Sequence, residues 1–219
     1  MVRQSDGSGF CGITIYAVCP WVWPGGRRGP AEVCSFFTGE FSLWADCGKY
    51  GAHYLFDDGH IRDFLDDGRL DDVIRMAIDQ HNVYQLRENL TPRQRLFCQL
   101  IRDADKIDIF RVYVLYMSQK KNIWNVDWAD FENQPISDSV MAQARQRKIV
   151  RTQDKKTFMD FYVGALCLYF DLVYPRSRQL AREQGYFDKL LDFHSRNVDS
   201  EKKLDEIRCL VRKAETLPQ

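Results

Sequence analysis

The chain has 219 residues, of which 31 are acidic and 31 basic, a length that allows one sizeable core or two small ones. Balanced charge provides no whole-molecule field to draw the protein to nucleic acid or to an anionic membrane, so neither is expected as a partner. Seven cysteines without CxxC spacing suggest neither a disulfide framework nor a zinc ribbon, and a reducing, cytoplasmic setting is the simplest expectation.

Residues 1–47 hold four of the seven cysteines, three of the five tryptophans and seven of the thirteen glycines. PWVWPGGRRGP (20–30) interrupts any helix or strand, and no helical or alternating period survives on either side of it. FCGITIYAVCPWVW (10–23) has the size of a signal-peptide core behind Arg3, but Pro20 interrupts it and no small-x-small cleavage site follows. It is also too short for a membrane span, which takes about 20 apolar residues. From Lys49 onward charged and apolar residues interleave at helical spacing almost to the end. Two parts are therefore expected: an anomalous segment, 1–47, and a helical domain, 48–219.

In that domain Leu70, Val73, Ile74 and Ala77 form an apolar stripe, and His81 continues it, which aims the imidazole at the core or at a pocket floor. Thr91-Pro92-Arg93-Gln94 is a capping box with proline at the first helical position, so a second helix starts there. Its apolar face is expected to be Leu96, Phe97, Leu100, Ile101, Ala104 and Ile107, with Gln99, Arg102 and Lys106 toward solvent. IFRVYVLYM (109–117) reads as a continuation of the same helix. DKKTFMDFYVGALCLYFDLVY (154–174) is apolar nearly all round and is expected to be a central buried helix that Pro175 ends or bends. SRQLAREQGYFDKLLDFH (177–194) reads as helix, Gly185 stop, helix, and SEKKLDEIRCLVRKAE (200–215) as a closing amphipathic helix. The fold class is all-α. His53 is expected to pack, His60 to be exposed and His194 to lie on the surface.

In the second helix Asp108 lies within the apolar face, with Asp103 and Asp105 on its borders. A buried ionised carboxylate costs several kcal/mol, on the order of the penalty for an unpaired buried ion, unless a cation or donors compensate. One solution is a divalent metal shared by His81 and an inward carboxylate. Others are a core histidine bonded to a backbone carbonyl and aspartates that cap a helix or pair with Arg102 or Arg111. The metal solution sets a geometric condition. In a simple antiparallel hairpin His81 and Asp105 would be separated by about 20 Å, so the connection 82–91 would have to walk back along the first helix.

AIDQHN (77–82), LFCQLIRDADKIDIFRV (96–112) and YFDLVYPRSRQLAREQGYFDKLLDF (169–193) resemble the bacterial HD-domain metal-dependent phosphohydrolases. The resemblance runs from about Lys49 to the end and implies an HD-like helical bundle. It also implies one or two divalent metals (Mn, Mg, Fe and Zn are not distinguished) held by a histidine, a His-Asp doublet and a distal aspartate. A metal-activated water would attack the phosphorus of a small phosphorylated substrate, usually a nucleotide. By position, His81 matches a family metal ligand and Asp105 the distal aspartate. Lys106 would lie near the phosphate, with Asp103, Asp108 and Arg102 as supporting partners.

The departure is equally specific. The chain contains no His-Asp dipeptide, and its four histidines are His53, His60, His81 and His194. In ADCGKYGAH (45–53), Cys47 stands where relatives show a histidine after an acid, and it is a candidate ligand for soft metals only. The composition break suggests that residues 1–47 are a frame-shifted or mis-started reading of the helices that should carry the doublet. The resemblance thus implies a phosphohydrolase impaired in this chain. The alternative is a non-catalytic HD-derived domain that binds a nucleotide or a protein, with Arg102, Lys106 and Arg111 holding phosphate without metal. Oligomeric state is not indicated.

Overall fold

The computed structural model of the protein describes residues 47–118, 120 and 126–216. The expectations for residues 1–46, the signal-like run among them, lie outside the described residues, as does the Cys47 side chain. All regular structure among the described residues is helical, so the all-α class is correct. No described helix is long and apolar enough to cross a membrane. The chain forms two compact units, one ending at Asp105 and the other beginning at Lys106.

In the first unit, α1 (Cys47–Ala52) passes into a wide π-type turn over His53–Asp57. Gly59, at φ 84°, reverses the chain into a 3-10 turn over His60–Asp63, a backbone region that costs a side-chain-bearing residue about 1 kcal/mol or more. α2 (Asp71–Asp79) follows, then an irregular connection, then α3 (Pro92–Met117), whose first part belongs here. The capping box at Thr91 is formed: Gln94 N–H donates to Thr91 Oγ1 at 3.3 Å, and Thr91 N–H to Gln94 Oε1 at 3.0 Å. Ile74, Ala77 and Ile78 of α2 pack with Leu55, Ile61, Cys98 and Ile101, so the expected stripe of α2 does face a core. His53 does not pack. Its side chain is 60% exposed, and its Nδ1 lies 2.9 Å from Asp57, because the turn of α1 into the π segment points residue 53 outward.

The path between α2 and α3 meets the geometric condition. Arg87 returns to Asp79 at 3.0 Å, and its N–H donates to Gln80 Oε1 at 3.3 Å. Leu86 and Leu90 lie against the core cluster. Cys98 Sγ then sits 3.9 Å from Met76 O, and Arg102 Nη1 3.3 Å from Gln80 O. Residue 98 is thus opposite 76, and 102 opposite 80. The two helices run parallel, and the connection walks back between them.

The second unit begins with the rest of α3 and continues through α4 (Trp128–Asn133), α5 (Asp138–Arg145), a 3-10 turn at Thr152–Asp154 and α6 (Phe158–Cys167). It ends with α7 (Pro175–Glu183), α8 (Tyr186–Leu191) and α9 (Val198–Thr216). Its core is aromatic: Phe131, Tyr162 and Phe193 contact one another with centroids 5.0–5.9 Å apart, and Phe187 stacks on Tyr169 at 4.4 Å. Ser200, Leu204, Ile207 and Val211 give α9 the buried stripe expected of it.

The expected single helix over 154–174 is shorter. Thr157 caps α6 through a capping box with Asp160, which starts the helix at Phe158. After Cys167 the chain tightens into a 3-10 turn, Leu168–Asp171, and Leu172 is extended. Pro175 does not end this helix; it occupies the first turn of α7, where its missing N–H costs nothing. Gly185, at φ 69°, separates α7 from α8 as expected.

Candidate functional site

His81 lies two residues beyond the end of α2, and only 5% of it is exposed. Its Nδ1 is 2.6 Å from Ile78 O. A carbonyl can only accept, so Nδ1 carries the proton, and the lone pair of a neutral ring is left on Nε2, the tautomer a metal ligand would present. The same bond is the core-histidine alternative. A Cβ built on Gly48 would lie 3.3 Å from His81 Cε1, 3.2 Å from Asn82 Oδ1 and 2.9 Å from Ile78 O. The backbone of α1, one residue after Cys47, therefore runs directly against the ring.

α3 presents a different face from the one its apolar residues suggest. Leu96 and Leu100 are 45% and 43% exposed, whereas Arg102, Asp103 and Lys106 are buried. Arg102 and Lys106, expected on the solvent side, are drawn inward by carbonyl and carboxylate oxygens. Arg102 Nη1 donates to the carbonyls of Gln80, His81 and Val83, the first two at 3.3 Å. Met76 O and Ile78 O, near the end of α2, are served by Gln80 N–H and by His81. The carbonyls that Arg102 holds belong to the turn just beyond the helix, where a cation also meets the negative end of the helix dipole. Nothing in the local sequence marked either Arg102 or Gly48 for these positions.

Lys106 Nζ sits 2.7 Å from Asp171 Oδ2 and 3.3 Å from Asp171 O. Asp108 accepts from Arg111 Nε at 2.7 Å and Nη2 at 3.1 Å, the arginine pairing the sequence left open. Asp103 is 1% exposed and Asp105, one turn beyond Arg102, is half-buried; both have polar partners. Burial pushes the Cys98 thiol up from its ordinary value, against the opposing pull of Arg102 and Arg95.

The parallel helices bring the turn at His81 and the 102–105 segment to the same end of the first unit. The donor set there is thin. Among the described residues no three His, Cys, Asp or Glu side chains converge to hold one metal ion. A cationic guanidinium is bonded to the carbonyl of His81 itself, which further disfavours a dication beside it. Water activation at a catalytic metal takes about three protein ligands with an open position, and His81 with Asp105 supplies two at most. These residues do not fit a hydrolytic metal centre. Compared with family models, with curated proteins and with solved structures, the chain matches none of them.

Proposed function

We propose that this chain is a helical domain of HD-phosphohydrolase type that retains one side of the metal site and does not hydrolyse phosphate esters. One observation carries the reading: within the first unit the end of α2 and the part of α3 up to Asp105 run parallel, so that a buried His81 and the acids at 103–105 share one end of the unit. The first histidine of the chain is His53 and no His-Asp pair occurs anywhere. Arg102, Lys106 and Arg111 are engaged by carbonyls, Asp171 and Asp108, which weakens the idea that they hold a phosphate without metal.

The test is metal analysis of the purified chain, together with turnover of bis-p-nitrophenyl phosphate and of nucleotides in manganese. Sub-stoichiometric metal and no turnover above the buffer are expected. Near-stoichiometric metal with turnover that disappears in both His81→Gln and Asp105→Asn would overturn the proposal. The reading frames upstream of codon 48 provide a second test. A neighbouring frame that encodes a histidine-aspartate pair, once restored in the protein, should bring back metal binding.

A further inference from the structure

Acidic and basic residues balance over the whole chain but not along it. Residues 57–72 contain seven aspartates and two arginines, and residues 145–156 contain six basic residues and one aspartate. The first run belongs to the unit ending at Asp105, the second to the unit beginning at Lys106.

The basic run is a built loop, leading from the end of α5 to the cap of α6. Arg147 N–H donates to Ala144 O at 2.8 Å, and Lys148 N–H to Gln143 O at 3.2 Å. Gln143 Oε1 accepts from Arg151 N–H at 3.0 Å, and its Nε2 donates to Asp154 Oδ2 at 3.0 Å. A single glutamine therefore ties the loop together and holds its only carboxylate. Arg145 pairs with Glu206 at 2.8 Å. Lys148 Nζ, by contrast, donates to the neutral Gln146 Oε1 at 3.0 Å, and neither Arg147 nor Lys156 has a carboxylate partner among the described residues. Lys148, Arg151 and Lys156 are exposed. The run carries no aromatic residue on which a base would stack, so an acidic protein surface suits it better than single-stranded nucleic acid.

The chain itself supplies such a surface. Asp57 pairs with Arg75, Asp67 with Arg69 and Asp71 with Arg62. Asp63, Asp66 and Asp72 are exposed and have no arginine or lysine partner among the described residues. Phe64 lies among them with 37% of its surface exposed, and an apolar centre within a charged rim is the usual anatomy of a protein interface.

We propose that the loop 145–156 docks the acidic run 57–72 of a second copy of this chain. Opposite charge draws the copies together and sets their orientation. Each exposed ion pair contributes little, so the association is weak and sensitive to salt. The contact is head-to-tail, because each copy offers one face to one neighbour and the other face to the next. Neither face uses His81 or the acids at 103–105, so the proposal does not rest on the proposed function.

Sedimentation velocity of the full chain over a concentration series, in about 20 mM and in about 0.3 M salt, tests it. At low salt the weight-average mass should rise with concentration to about twice that of the monomer or more, and at high salt it should stay at the monomer. Two charge-reversed chains, Lys148→Glu with Lys156→Glu and Asp63→Lys with Asp66→Lys, change exposed positions only. Each, with its fold retained by circular dichroism, should remain monomeric alone at low salt. Mixed, they should form a complex, since each keeps the face that the other has lost. A native chain that stays monomeric at low salt, association that survives high salt, self-association of either variant, or a mixture that stays monomeric would overturn the proposal.

Discussion

The unit ending at Asp105 has a largely aliphatic core, Leu55, Ile61, Ile74, Ile78 and Ile101, and also buries the polar groups His81, Arg102 and Asp103. The unit beginning at Lys106 packs rings around rings, and its buried carboxylate, Asp160, is held by four neutral donors. In the first, directional bonds to buried charged groups add to the aliphatic packing. In the second, order depends on area and shape. Loss of a bond should therefore be felt most in the first unit, and loss of volume most in the second.

The largest effect is expected at Phe131, fully buried against Trp128, Tyr162 and Phe193. Phe131→Ala should cost about 3–5 kcal/mol through lost transfer energy and the cavity left behind. Hydrogen exchange by segment is the suitable measurement, because it reports each unit separately. Amides of α5 and α6 should lose protection while those of α2 change little. Equal loss in both units would show that the contrast drawn between them is wrong.

The corresponding lesion in the first unit is Arg102→Met, which keeps the stem and removes the donors to three carbonyls. Buried carbonyls left without a partner cost about 1–3 kcal/mol, and about 2 kcal/mol is expected here. Protection should fall at residues 74–83. Arg102→Lys should recover only part of it, since one ammonium cannot reproduce the planar fork.

These two residues also show what could be read in the sequence. The α2 stripe, the Thr91 box, the Gly185 break and the inward turn of His81 were legible, because each is set by residues within one or two turns. The buried face of α3 was not. Leu96 and Leu100 look like core residues and are exposed, while Arg102 and Lys106 look like surface residues and are buried, because their partners are carbonyls at 80–83 and Asp171. Apolar periodicity has no term for such distant oxygens. The start of α6 was missed although its signal is local, a capping box of Thr157 and Asp160 three residues apart, which Ser137, 23 residues away, only reinforces. For the site, the inward histidine was legible, but the number of donors around it depends on packing.

Gly48 sharpens the comparison on a smaller scale. On helix propensity alone, Gly→Ala in α1 would gain about 1 kcal/mol. Here the new Cβ would come within 2.9 Å of the backbone oxygen of Ile78 and 3.3 Å of His81 Cε1. Forcing α1 away from α2 costs about 1–3 kcal/mol, so Gly48→Ala should destabilise by about 1 kcal/mol net. It should also shift the His81 ring signals in an NMR spectrum that contains only four histidines. A stabilised variant with unmoved His81 signals would mean that α1 does not press on the ring.

The smallest effect is expected in the second unit and has the opposite sign. α5 ends in a pair of reverse bonds, Arg147 N–H to Ala144 O at 2.8 Å and Lys148 N–H to Gln143 O at 3.2 Å. That is the Schellman arrangement, and it puts Arg147 at φ 54°, where glycine is usual. An arginine held there costs about 1 kcal/mol of backbone strain. Glycine removes the strain but gives the unfolded chain more freedom, and it gives up a cation at a helix C-terminus worth about 0.3 kcal/mol. Arg147→Gly should therefore stabilise by roughly 0.5 kcal/mol, visible as slower exchange at the last amides of α5. Arg147→Ala separates the two contributions, since it loses the charge and keeps the strain, and it should destabilise by a few tenths of a kcal/mol. If both variants move stability in the same direction, backbone strain at residue 147 is not what limits this helix end.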